Sequence, residues 1–429
     1  MRPRKLYILI LFLLSAAAGR AQPVWEPVPS PTTHTLRNLH FVDSLYGWAA
    51  GDSGAVIATT NGGMNWFSQR SGVETDIYDI HFSDRNNGWG VTWRLDTLPY
   101  GTMLIHTTNG GAYWKKVPWD EPDIFLLTVY FSDSLNGWLG GYEGHMYRTF
   151  DGGNEWRPEG IVPGFCSFFP VLHYNFYNSQ FGLAAGGHVD ISGVLWRTTN
   201  NGEDWTSNCY SPEPLNAVYY LDSMNIISVG GDFEYGTGIV RSTDAGETWT
   251  YTSLEIFGIA KAIDFRKPGE AWSPLTFANK MIYSFDTCRT WNVYLFPELT
   301  DIFDLKFVDS TKGYAVGSQG CIFRYTPEAT GVRNSLQYSD NGGKKINIRN
   351  YPNPFISKTT IEIYLPDDED VSLCLYNIQG ELIKNIYNGF FESGGHEINL
   401  PVESVPAGIY FIELRTGKSS ARSKILKLK

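Results

Sequence analysis

Six times in this chain a Thr or Ser is followed seven residues later by a Trp, with Asn or Asp third and Gly fifth in every copy but the last. The copies occupy 59–66, 107–114, 149–156, 198–205, 242–249 and 284–291, so the motif returns every 42 to 49 residues. A period of that size marks supersecondary units that cannot bury their apolar faces alone and must stack. The paired positions are Asn61 and Trp66, Asn109 and Trp114, Asp151 and Trp156, Asn200 and Trp205, Asp244 and Trp249, and Asp286 and Trp291. At each, the Asn or Asp side chain can accept backbone N–H bonds within the turn while Gly supplies positive φ. The Trp offers a large apolar face to bury against its own blade, with its indole N–H free to find a carbonyl, so the boxes read as hairpin staples.

A second motif precedes each box: an aromatic residue, a short polar bend, then Gly-Trp or an apolar pair. It begins at residues 41, 82, 131, 176, 220, 265 and 307, seven units against six boxes. Alternating apolar residues before each bend indicate a half-buried strand. The seventh unit ends at 321–326 with no box after it. Trp25 precedes Trp66 by one period, 41 residues, so the missing strand lies at the other end of the chain. Closing a ring of sheets without an exposed edge requires such a strand. The expected fold is all-β, a seven-bladed β-propeller over 22–326 whose N-terminal strand 23–28 completes blade seven, followed by a small C-terminal β-sandwich.

Aromatic content of 15% with 44 Gly and 22 Pro favours short strands and tight turns, and no long amphipathic helical pattern competes. A formal net charge of −11 disfavours nucleic acid, whose phosphates require clustered cations. Arg2, Arg4 and Lys5, the apolar run 6–14 and the small residues around Gly19 and Ala21 read as a signal peptide over 1–21, with Gln22 as mature start. No later stretch is long enough for a transmembrane segment. Among five cysteines, Cys166 can pair with Cys209 and Cys288 with Cys321; buried free thiols remain the alternative, and no spacing suits a metal.

Residues 327–346 are polar and Gly/Asn/Ser-rich, a linker composition. From 347 to 429, six or seven short apolar runs alternate with turns, as in a small sandwich. NYPNPF at 350–355, LYNIQGELI at 375–383, PAGIYFIEL at 406–414 and the basic end KILKLK resemble the type A sorting domain of type IX secretion cargo from Bacteroidetes. The resemblance implies that residues 347–429 are recognised by the type IX machinery and that the protein is secreted or held at the outer cell surface.

The boxes resemble the Asp-box (BNR) repeat, which implies turns remote from the ligand face. Function is then expected on the opposite face, built by the loops joining strands two and three and by those between blades. These loops carry the candidate binding residues Trp93, Arg94, Asp96, Trp119, Asp120, His188, Asp190, Asp232 and Tyr235, where aromatics interleaved with carboxylates suit a glycan or a protein partner. Asp boxes also occur in sialidases, and 265–268 (FRKP) superficially resembles their FRIP motif, yet it stands in register with the other strand bends. Arg148, Arg197, Arg241 and Arg324 recur at one repeat position, as in propellers similar to photosystem II assembly factors, which implies a binding scaffold. No catalytic residue, metal ligand or cofactor is assigned. The alternative is a glycoside hydrolase drawing on the loop acids Asp96, Asp120, Glu121, Asp190, Asp232 and Glu234.

Overall fold

A computed structural model describes residues 24–296, 300–326, 346–351, 355, 358–377, 381–401, 405–417 and 420–427. The expected signal peptide, and the expected linker apart from Ile346, lie outside these residues. The chain divides into two compact units, Met1–Thr330 and Gly331–Lys429.

The first unit is a β-propeller of seven sheets, antiparallel except where the short strand Gly160–Ile161 pairs parallel with Asp204–Ser211. Blade one spans 36–70, two 77–118, three 126–158, four 171–211, five 215–253, six 259–295, and seven combines 302–326 with Val24–Val28. The first strands of successive blades lie side by side, and that of blade seven lies against that of blade one. Val24–Val28 pairs antiparallel with Ile322–Thr326, Trp25 standing opposite Tyr325. Trp25 is 2% exposed, with the rings of Tyr325, Trp272 and Phe307 at 5.5, 5.9 and 5.9 Å.

Local chemistry explains each hairpin. In the first bend of blade one, Asp43 Oδ1 accepts the N–H groups of Leu45 and Tyr46; Asp84, Asp133, Asn178, Asp222 and Asp309 repeat this in five other blades. In the boxes the Thr or Ser hydroxyl accepts the N–H four residues on, as Thr59 does from Gly63 at 2.9 Å. Asn61 likewise accepts from Asn65, one residue further round the turn than the sequence suggests. The fifth box residue sits under a side chain of the preceding blade. A Cβ on Gly63 would stand 2.2 Å from the Tyr314 ring, and one on Gly153 2.5 Å from Trp89. In the sixth box Cys288 takes that place at φ 61, and the residue of blade five that aligns with those rings is the smaller Ile227, in the same apolar cluster.

Two expectations need correction. The box Trp does not pack on its own blade alone: Trp156 meets Phe131 of blade three and Trp89 of blade two, so the ring spans the seam. The indole N–H finds a box carbonyl in Trp249, bonded to Gly246 O at 3.1 Å, but in Trp66, Trp114, Trp156 and Trp205 it is buried without an acceptor. Among the cysteines, Cys166 and Cys209 are bonded, with Cα atoms 5.8 Å apart, whereas Cys288 and Cys321 are both free. Cys288 lies in the turn after strand three of blade six and Cys321 before strand three of blade seven, at opposite ends of their strands.

The second unit has two antiparallel sheets. One contains Asn347–Tyr351, Lys358–Leu365 and Gly394–Pro401; the other contains Leu382–Phe391, Glu369–Asn377, Gly408–Thr416 and Ser420–Lys427. Alternate residues Ile361, Ile363 and Leu365 face Leu373, Leu375, Ile412 and Leu414 in one core.

Gly153→Ala places a methyl against Trp89 in a backbone conformation (φ 91) that L-residues resist, and is expected to cost roughly 2–4 kcal/mol. Gly164→Ala, with φ −168 and open space around its Cβ, is expected to stay within about 0.5 kcal/mol of the parent. Denaturant midpoints of the two variants check the contrast.

Candidate functional site

The inner strand of each blade begins on the loop face and runs down the propeller axis, and its polar residues occupy repeat positions. Leu36–Phe41, Ile77–Phe82, Leu126–Phe131, Val171–Phe176, Leu215–Tyr220 and Ile302–Phe307 align residue for residue, as do 260–265 in blade six. Many of these side chains bond the next blade's main chain. His40 Nε2 meets Phe82 O at 3.0 Å, Asn175 accepts from Tyr220 N at 3.0 Å, and Asp264 accepts from Phe307 N at 2.6 Å. Nearer the loop face, Asp79 accepts from Val129 N at 2.9 Å, and Asp304 accepts from Leu39 N at 2.7 Å across the closing seam. The axial polar groups therefore tie blades together. Burial pushes the carboxyls of Asp79 and Asp304 up to about 6 and about 7. Burial, and then the Lys306 charge, push His40 and His173 down to about 4. Lys306 moves upward instead, held by Asp264 at 3.1 Å.

The sequence candidates fall into two groups on the loop face. In the first, on blades two and three, Trp93 is half-buried, its Nε1 donating to Leu126 O at 2.7 Å and its ring 4.1 Å from Tyr78. Arg94 Nε donates to Pro99 O, Asp96 is exposed, Trp119 packs edge-on against Tyr147 at 4.7 Å, and Asp120 is exposed. Trp93 and Trp119 thus serve largely as packing for this rim.

The second group gathers residues from blades four and five. His188 is exposed with Nδ1 2.8 Å from Val189 O. Asp190, in a left-handed conformation, donates its N–H to Glu213 Oε2 at 3.1 Å. Asp232 is 3% exposed, and its Oδ1 accepts the N–H groups of Glu234 and Tyr235. One oxygen each from Asp190, Glu213 and Asp232 lie within 4.8 Å of one another, the one group among the described residues with a donor set for a metal ion. An all-oxygen set suits a hard cation such as Ca²⁺. Three carboxylates are equally relieved by a proton: burial first, then the charges of Asp232, Asp190 and Glu234, push the Glu213 carboxyl upward. Beside the cluster Phe233, Tyr235 and Phe277 are about half exposed, with the Phe233 and Phe277 rings 5.1 Å apart.

Glu213 and Phe277 escape a motif search because neither belongs to a repeated signature, whereas Phe233 stands in the loop segment 232–235 that the sequence already marks. The repeated arginines are scaffold bonds. Arg197 reaches Ala245 O and Glu247, Arg241 reaches Thr287 O and Cys288 O, Arg324 pairs with Glu26, and Arg148 lies over Phe150. Arg266 of the FRKP segment pairs with Glu270 within its own hairpin. No helix among the described residues is long and apolar enough to cross a membrane.

These features define a β-propeller followed by a β-sandwich tail. Residues 349–428 match the family described as secretion system C-terminal sorting domain, which directs the protein to the outer surface or the medium. Residues 17–122 match the family described as photosynthesis system II assembly factor YCF48. Photosystem II assembly lipoprotein Ycf48 of Picosynechococcus sp. is 24% identical over 346 residues, spanning 76% of this chain and 96% of that protein. The structure of YCF48 bound to D1 peptide superposes with a TM-score of 0.57 at 20% identity, covering 71% of this chain and 95% of that one. The GH74 xyloglucanase from Xanthomonas campestris superposes at 0.55 with 12% identity, covering 70% and 53%. These likenesses show the propeller fold.

The axial acids and histidines oppose one another in their pH dependence. Asp304, raised from 3.8 to about 7, keeps its proton through that range only when folded, so its favourable contribution is lost as pH rises through about 7. His40, lowered from 6.5 to about 4, is protonated first in the unfolded chain, so its contribution is lost as pH falls through that window. Asp304→Asn mimics the protonated acid. It is expected to stabilise the propeller at pH 8 by on the order of 1–2 kcal/mol, by less at pH 5, and to approach neutrality only below about pH 4, read from denaturant unfolding across that range.

Proposed function

We propose that this chain is an exported binding scaffold: after signal-peptide export, residues 22–326 present the loop face to a protein partner, and residues 347–429 serve the type IX machinery. The observation that carries the reading is the distribution of chemistry between the two faces. The Thr, Ser, Asn and Asp side chains of the boxes are taken up in turns, and the loop face sets the half-exposed rings of Phe233, Tyr235 and Phe277 beside the Asp190, Glu213 and Asp232 carboxylates, whereas the exposed box rings Tyr113 and Phe150 have no such acid cluster among the described residues. Exposed aromatics on a rigid rim suit anchor contacts with an extended polypeptide, since they lose little side-chain entropy on binding. The similarity to a propeller whose structure holds a bound peptide supports the same class of ligand here.

A glycan is the nearest competing ligand, and a glycoside hydrolase is the alternative activity. The carboxylates gathered on blades four and five favour it less than binding. Glu213 and Asp232 are buried and fastened to loop amides, with oxygens of the three acids within 4.8 Å of one another. That leaves little room for a sugar ring between them.

The test uses the full chain immobilised and probed with a 15-residue peptide library and a polysaccharide panel that includes xyloglucan. Peptide retention is expected, with a loss of at least about tenfold in the variant combining Phe233→Ser, Tyr235→Ser and Phe277→Ser. Release of reducing ends from any polysaccharide, abolished by Asp190→Asn, would replace this reading with the hydrolase.

A further inference from the structure

The second residue of each inner strand forms the rim where the propeller axis opens on the loop face. On blades five, six, seven and one these are Asn216, Lys261, Phe303 and Arg37. Lys261 Nζ donates to Asn216 Oδ1 at 3.1 Å, and Asn216 is held in turn by its amide bond to Ala260 O at 3.0 Å. No carboxylate lies within ion-pair distance of Lys261 among the described residues. On its other side the Arg37 guanidinium stands 5.4 Å over the Phe303 ring and is fixed there by Asp52.

An ammonium half-buried beside an amide and exposed to the charge of a guanidinium is an arrangement that folding alone does not favour. Burial and then the Arg37 charge push the Lys261 ammonium down to about 8. Both causes act against the cation in the free protein, and the attraction of an entering anion offsets them. The other axial lysine is different, because Lys306 has its carboxylate in Asp264. Lys261 is thus the axial cation that keeps its charge available to the loop face.

We propose that Lys261 and Arg37 form a carboxylate-binding site at the mouth of the propeller axis, which receives an acidic group of the bound polypeptide. This deepens the peptide-binding reading given above and rests on it. The guanidinium, with Asp52 occupying Nε, retains further N–H donors, and Lys261 retains two beyond the one given to Asn216. The acid cluster of blades four and five lies on the same face, so a carboxylate meets repulsion there and attraction at Lys261. An extended peptide with a carboxylate toward blades six and one would be oriented by that polarity. The carboxylate can come from an Asp or Glu side chain or from the chain's own C-terminus.

The experiment uses the full chain and three fluorescent hexapeptide pools: acid-free with a free C-terminus, acid-free with an amidated C-terminus, and amidated with one Glu. Anisotropy titrations at fixed ionic strength are expected to show at least about tenfold tighter binding of one or both carboxylate-bearing pools over the acid-free amide pool. Which of the two wins identifies the source of the carboxylate. Lys261→Met is expected to remove that preference while leaving Tm unchanged or higher, since an unpaired half-buried charge is lost. Lys261→Arg is expected to retain the preference, and acetate replacing chloride to compete for it. Equal binding of all three pools by the parent, or a preference that survives Lys261→Met, overturns the carboxylate site and leaves the peptide reading standing. Binding of no pool overturns both.

Discussion

The propeller depends on a short strand from the start of the chain. Val24–Val28 joins the outer edge of blade seven, converting seven consecutive sheets into a ring. Without it, Ile322–Thr326 would offer unpaired backbone groups at an edge, and Trp25 would leave its nest between Trp272, Phe307 and Tyr325. The same seam is fastened nearer the axis by Asp304 accepting from Leu39 N, and at the box face by the Tyr314 hydroxyl donating to Gly62 O at 2.6 Å. Three kinds of bond, from outer edge to axis, act on one junction.

Closure explains why so much of the repeated chemistry is unavailable for binding. Tyr314 reaching Gly62 is one case of a general contact in which one blade's second, third or fourth strand reaches the box of the next. Trp48 and Gln69 both donate to Gly110 O, and Arg197 and Arg241 reach boxes five and six. The box carbonyls and glycines are therefore receptors for neighbouring side chains. The loop face makes contacts of this kind that are particular to a blade, as in Trp93 donating to Leu126 O and Asn216 to Ala260 O. Its segments vary in length and carry what is particular to this chain, including the 159–169 crossover, which the Cys166–Cys209 bond holds to blade four.

Much of this architecture is legible in the sequence because it repeats. The period of the boxes and the FxD bends revealed the blades, and the orphaned seventh unit pointed to Trp25. The sandwich strands followed from simple alternation, as in Ile361, Ile363 and Leu365. Contacts set by three-dimensional closure were harder to read. Four box indoles are buried with no acceptor, their orientation fixed by rings of the preceding blade at Trp66 and Trp156 and by rings of their own blade at Trp114 and Trp205. Cys288 and Cys321 are close in the repeat count yet lie at opposite ends of their strands. Glu213 joins Asp190 and Asp232 only through folding, and Lys261 reads as an ordinary polar residue until it is aligned with Arg37 and Asn216 around the axis.

The central claim is that one face of the ring is scaffold and the other receives a polypeptide. Hydrogen exchange of the full chain, with and without a saturating peptide from the library, tests this most directly. Protection is predicted at the loop-face segments 92–101, 213–216, 232–237 and 259–262, with the six box turns unchanged. Protection concentrated in the box turns, with the loop segments unaltered, would contradict it.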